Sequence, residues 1–129
     1  MPRALALMTV LLLSACATAK GAQPSQALGE WHFVTIDGQK PVSGKTSLTI
    51  APGRIGANVG CNGLGGDLRI EGNRLMAGPL ISTMMYCDGV MEQERAVSEL
   101  LAANPEFRFE DGRLLLSDGK HIAELKPAS

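Results

Sequence analysis

Turn dipeptides cut this chain into pieces too short, over most of its length, for anything but strands. Asp37-Gly38, Pro52-Gly53, Gly72-Asn73, Asp111-Gly112 and Asp118-Gly119 recur through it. Such pairs supply the positive or fixed φ angles that a tight reversal needs. Between them lie EWHFVTI (Glu30–Ile36), TSLTI (Thr46–Ile50), RIGANVG (Arg54–Gly60), DLRIE (Asp67–Glu71) and RLMA (Arg74–Ala77). Their apolar residues alternate, Trp31 with Phe33, Leu48 with Ile50, Ile55 with Ala57 and Val59, and Leu68 with Ile70, which predicts half-buried strands. After Cys87 the period changes. Asp88 reads as an N-cap, and Val90, Glu94, Val97 and Leu101 follow helical spacing with Leu100 alongside, until Asn104-Pro105 ends the run. EFRFE, RLLLS and KHIAEL then form three strands joined by two D-G hairpins. The order predicts an α+β fold: a small, antiparallel, partly open β-barrel of about eight strands with one covering α-helix. With only 4% aromatic residues, Trp31, Phe33, Phe107 and Phe109 become the expected core anchors.

The first residues follow another logic. Met1-Pro2-Arg3 precedes the apolar run Ala4–Leu13, and small residues follow it. A membrane span needs roughly 20 apolar residues, so a run of about ten reads as a secretory signal. Leu13-Ser14-Ala15-Cys16 resembles the lipobox of bacterial lipoproteins, whose cysteine is lipidated and becomes the first residue. The alternative is ordinary cleavage near Ala17-Thr18-Ala19. A lipidated Cys16 anchors stably, since two or more acyl chains suffice. Ala17 after it, rather than Asp, resembles the pattern sent to the outer membrane. The expected organisation is a signal peptide over residues 1–15, a lipidated N-terminus and flexible tether over 16–27, and one domain over 28–127. Removing residues 1–15 takes away only Arg3, so Lys plus Arg falls from 12 to 11 against 13 acidic residues, a net charge of -2. That balance argues against a nucleic-acid partner.

With Cys16 assigned to lipid, Cys61 and Cys87 remain as a pair in an oxidising compartment, which fits one disulfide. Two alternatives stay open: free thiols, or a site in which His32 or His121 joins the cysteines around zinc or activates one as a nucleophile. Neither cysteine has C-x-x-C spacing, and each histidine sits within an expected strand.

Other candidate chemistry fails on spacing. SGKTS (Ser43–Ser47) ends like a P-loop, but the required first glycine is Gln39, and a strand rather than a helix follows. In NVGCNGLGGDL (Asn58–Leu68), Gly60 and Gly65 have the right separation, yet Gly66-Asp67 stands where Lys and Ser or Thr belong. Its glycines (Gly60, Gly63, Gly65, Gly66) instead suit positive φ and close approach at a strand corner, with Asn62 bonding its own turn. Glu92 and Glu94 lie two apart on the helix, do not face each other, and read as a solvated face. LISTMMYC (Leu80–Cys87) reads as core filling beside the cysteines, or as a soft apolar binding surface. No hydrolase, zincin or EF-hand pattern occurs.

Trp31, Gly60-Cys61-Asn62, Gly66, Thr83-x-Met85-x-Cys87, Met91-Glu92-x-Glu94 and the closing LLLSDGKHIAEL together resemble the META domain, or HslJ-like, family. The likeness covers Leu28 to Leu125. One departure is Leu68, where the family more often carries an aromatic residue. The resemblance implies an antiparallel, partly open barrel with one helix, in an envelope or secreted protein without established catalysis, and links to heat shock and stress. The expected function is therefore a non-enzymatic outer-membrane lipoprotein facing the periplasm. It would need no cofactor or metal and would reach the membrane through Cys16. Its partner would be an envelope protein or a hydrophobic ligand. The alternatives are a pilotin-like or lipid/peptide-binding chaperone and a thiol-based enzyme or redox sensor using Cys61 and Cys87.

Overall fold

A computed structural model describes residues 23–129. Cys16 and the expected signal peptide lie outside the described residues. The chain runs α1 (Pro24–Ala27), β1 (Gly29–Ile36), β2 (Ser47–Ala51), β3 (Arg54–Asn58), β4 (Gly63–Glu71), β5 (Arg74–Ala77), β6 (Ile81–Ser82), α2 (Met91–Ala102), β7 (Glu106–Glu110), β8 (Arg113–Ser117) and β9 (Ile122–Pro127). Hydrogen-bonded neighbours follow the order β3-β2-β1-β9-β8-β7-β5-β4-β6, and β3 also pairs with β4. The strands thus form an antiparallel ring from which β6 projects, and the fold is α+β.

The narrowest seam of the ring is β5–β7, with the single register pair Arg74↔Glu106. Leu75 N–H donates to Pro105 O at 3.0 Å and Phe107 N–H to Asn73 O at 2.7 Å. The Arg74 guanidinium reaches Glu106 at 2.9 Å and Asn104 O at 3.0 Å. α2 lies against β5 and β1 and buries Val97, Leu100 and Leu101. Inside the ring, Leu48, Ile50, Leu75, Phe107, Leu114, Leu116 and Leu125 are fully buried. Trp31 and Phe33 join them as expected from their shared face. A register shift between Phe33 and Thr35 then turns Ile36 inward as well. Phe109 is only half-buried and lies between Phe107, edge-on at a centroid distance of 6.0 Å, and Trp31, tilted at 6.2 Å.

Several local expectations are corrected. The end of the expected tether is folded: Pro24 opens α1, Ala27 is fully buried, and its carbonyl accepts the Trp31 indole N–H at 2.9 Å. Asp88 does not cap α2. The helix begins after Val90 with no side-chain cap, and Gly89 at φ +80 in the preceding turn separates Asp88 from it. The glycine-rich stretch is mostly strand, since β4 starts at Gly63 and pairs with β3 from Asn58↔Gly63 to Arg54↔Asp67. Of its glycines only Gly60 has positive φ, at 117°. A Cβ there would lie 2.4 Å from the Ser43 Cβ, and one on Gly66 would lie 2.9 Å from Pro79 O. Gly63 has open space around it.

Candidate functional site: a clamped apolar loop

β3 and β4 are joined by Val59–Asn62, which puts Cys61 and Asn62 at one end of the ring, beside the start of α2. Cys61 is bonded to Cys87 across 26 residues, with a Cα–Cα distance of 5.9 Å. Asn62 is 3% exposed and uses every hydrogen-bonding position of its side chain. Its Nδ2 donates to Glu94 Oε2 at 2.9 Å and to Met85 O at 2.8 Å. Its Oδ1 accepts from the Thr83 hydroxyl at 2.8 Å and from Met85 N–H at 2.8 Å. The Asn62 backbone N–H donates to Glu94 Oε1 at 2.7 Å.

Two expectations fall here. Asn62 does not bond its own turn; that task belongs to Asn58, whose Oδ1 accepts Gly60 N–H at 2.7 Å. Glu94 is not on a solvated face but buried, with both carboxylate oxygens receiving donors from Asn62. A signal for this was available, because Glu94 interrupts the apolar stripe formed by Val90, Val97 and Leu101. Trp31, Gly60, Cys61, Asn62, Gly66, Thr83, Met85 and Cys87 carry the resemblance read from the sequence. All but Trp31 meet in this clamp or its immediate supports, and Trp31 packs in the core.

The clamp holds Thr83–Cys87 through its backbone, the Thr83 hydroxyl and the Cys87 sulfur, and leaves the side chains of Met84, Met85 and Tyr86 outside. Met84 is 93% exposed, Tyr86 80%, Ile81 79% and Met85 56%. Met84, Met85 and Tyr86 of LISTMMYC therefore do not fill the core, although Leu80 and Cys87 at its two ends pack against it. The interior is already occupied by leucines and phenylalanines, and the segment's backbone is fixed from below through Met85 and Cys87. What the arrangement offers is a stiffly presented apolar surface.

A second cluster lies on the far part of α2. His121 Nδ1 is 2.7 Å from Asp37 Oδ2 and its Nε2 is 2.7 Å from Glu99 Oε2, while Lys120 Nζ sits 3.4 Å from Glu99. Hydrogen bonds to Glu99 and then Asp37 raise the His121 pKa, and the bond from His121 holds Glu99 below the ordinary carboxylate value. The pair lines an open groove of about 610 Å³ that also includes Lys40 and Gln93. Asp37 and His121 are 84 residues apart, and no local pattern announces their meeting. His32 turns instead to Thr46 O at 2.6 Å. Among the described residues, no group of three His, Cys, Asp or Glu side chains is placed to hold a metal ion.

A family model described as the META domain matches residues 25–129. Two solved structures share the fold. One, titled an NMR structure of the protein, has a TM-score of 0.72 and 20% identity over 83% of this chain and 96% of that one. The other, an NMR structure of a protein from Burkholderia xenovorans, has a TM-score of 0.63 and 17% identity over 100% of this chain and 99% of that one. At such identities the likeness concerns the fold. No curated protein matches the chain.

Proposed function

The chain belongs to the META domain family, and on that premise we propose that it is a non-enzymatic binding module of the bacterial envelope. It is held to the outer membrane through lipid on Cys16 and engages another envelope component, in a stress-related role, through Ile81–Tyr86. One observation carries the reading: Ile81, Met84 and Tyr86 are 79%, 93% and 80% exposed on a segment that a disulfide and the Asn62–Glu94 network hold in place. Ordering cost before binding is small for such a loop, which favours association. A ligand sequestered inside the ring, as in a chaperone with an apolar cavity, is disfavoured because Phe107, Leu116 and their neighbours fill that space. A thiol mechanism is disfavoured because Cys61 and Cys87 are bonded to each other.

The test is photo-crosslinking in cells under envelope stress, with the photoreactive residue at Tyr86 in the full-length protein and a control at Arg69, which is also exposed. A discrete adduct from position 86 that the control does not give supports the reading. Equal patterns from both positions, or none, overturn it.

A further inference from the structure

The exposed loop has a second property besides its apolar side chains: an unused strand edge. Ser82 pairs with Leu64 and Ile81 with Gly65, and Thr83 N–H donates to Gly63 O at 3.2 Å. In an antiparallel ladder inward and outward backbone groups alternate, so Ile81 and Thr83 point toward β4. Met85 continues the series on a substitute partner, since the Asn62 carboxamide takes both its N–H and its C=O at 2.8 Å. The N–H and C=O groups of Ser82 and Met84 therefore face away from the ring. Among the described residues β6 has β4 as its ladder partner and nothing on its other side. Gly66 permits the arrangement, because a side chain there would collide with Pro79 O just before β6.

Natural edges are blunted by short length, charges, prolines or bulges; β6 is itself only Ile81–Ser82, but the bonds of Thr83 and Met85 carry its extended run on to Met85. Ile81-Ser82-Thr83-Met84-Met85-Tyr86 contains no charge and no proline. Resting on the binding-module reading above, we infer that the outer edge of Ile81–Met85 is a docking site for an extended, apolar segment of a partner polypeptide, which pairs with Ser82 and Met84 as an added strand. The two outward residues are spaced by one strand repeat, about 6.8 Å, which an extended backbone matches. Main-chain bonds of this sort give affinity, and alternate side chains lying against Met84 and Tyr86 give selectivity. An acyl chain could cover the methionines but would leave four backbone polar groups without partners, at a cost.

The probe is a blocked six-residue peptide alternating valine and threonine between terminal lysines, compared with the same peptide N-methylated at alternate positions along one edge. Both are titrated into full-length, isotope-labelled protein in detergent while backbone amide shifts are followed. The unmodified peptide is expected to shift the Ser82 and Met84 amides, and N-methylation is expected to weaken binding at least about tenfold, the loss of roughly one to two hydrogen bonds. Ser82→Pro is expected to weaken it equally while leaving the thermal midpoint unchanged, because that N–H is not part of the β4 ladder. Should Ser82→Pro lower the midpoint, the peptide comparison on the unaltered chain decides alone. Equal binding of the two peptides, or no binding of either, overturns strand docking. Self-association of the chain that Ser82→Pro abolishes, without peptide binding, also overturns it by making a second copy the occupant. A Tyr86 crosslink that persists beside such a failure leaves the binding-module reading standing, so the two failures are distinguishable.

Discussion

Asn62 and Glu94, 32 residues apart, are bonded twice, through the Asn62 backbone N–H at 2.7 Å and its Nδ2 at 2.9 Å. Both carboxylate oxygens face donors, so an amide in place of Glu94 sets one N–H₂ against an N–H. Glu94→Gln is expected to destabilise the domain by about 1–3 kcal/mol, the cost of leaving a buried polar group unsatisfied. Asn62→Asp sets two carboxylates side by side, and that loss is expected to shrink as pH falls and the pair takes up a proton. Denaturant unfolding of both variants at neutral and acid pH checks this. An Asn62→Asp deficit that is flat with pH would count against the network.

Reduction of Cys61–Cys87 removes a cross-link that closes a loop of 26 residues. The chain-entropy relation predicts a loss of about 3.5 kcal/mol. Unfolding with and without reductant measures it, and Cys87→Ser should reproduce the reduced value. Alkylation before reduction should leave both residues unmodified. Labelling of either one in the unreduced folded protein would contradict the bond.

Strand positions and hairpin turns were legible in the sequence because alternation and turn chemistry are local: Trp31, Phe33, Leu48 and Ile50 all point inward as their spacing predicts. The family motif also drew attention to the clamp. What could not be read was which distant pieces meet. The closure of β5 on β7, the short β6 and the pairing of Asn62 with Glu94 depend on tertiary register, to which a helical or alternating pattern is blind. Glu94 illustrates the difficulty. On the helix alone it is an acidic side chain in the first turn, where it is welcome with or without a buried partner.

The glycines of Asn58–Leu68 differ in what they must do, and substitution should separate them. Gly60→Ala combines a φ of 117° with a Cβ 2.4 Å from Ser43, and Gly66→Ala presses on Pro79 O at 2.9 Å. Each is expected to cost about 1–3 kcal/mol. Gly63→Ala meets no atom within 4 Å and has an ordinary strand angle, so it should be neutral or stabilise by about 0.4–1 kcal/mol. Thermal unfolding of the three single variants checks the order. Equal losses would mean that the stretch acts as one rigid unit.

The anchor proposed at Cys16 is tested by mass. The mature protein should begin at Cys16 and carry acyl chains, and Cys16→Ala should move it from the membrane to the soluble fraction, because roughly two acyl chains are needed for stable attachment. An unacylated mature chain beginning after Ala19 would replace the anchor with ordinary secretion.

His121 links β9 to α2 and to the end of β1, so its charge should register in stability. Its folded pKa is raised above 6.5, chiefly by its bond to Glu99 and then by that to Asp37. A raised pKa stabilises the fold fully below the unfolded value, and that contribution is lost as pH rises through the folded one. Glu99 is lowered from 4.5 by the His121 bond and by Lys120, so its contribution is present above 4.5 and disappears as pH falls through its folded value. The two windows overlap between about 4.5 and 6.5, where imidazolium and carboxylate coexist. Denaturant midpoints should therefore be highest in mildly acidic solution and decline above neutrality. His121→Gln should flatten the decline on the alkaline side, since the imidazolium whose loss drives it is gone. If the variant keeps the same slope above pH 6.5, another group is responsible, and the ion pair between α2 and the β8–β9 turn contributes nothing to stability.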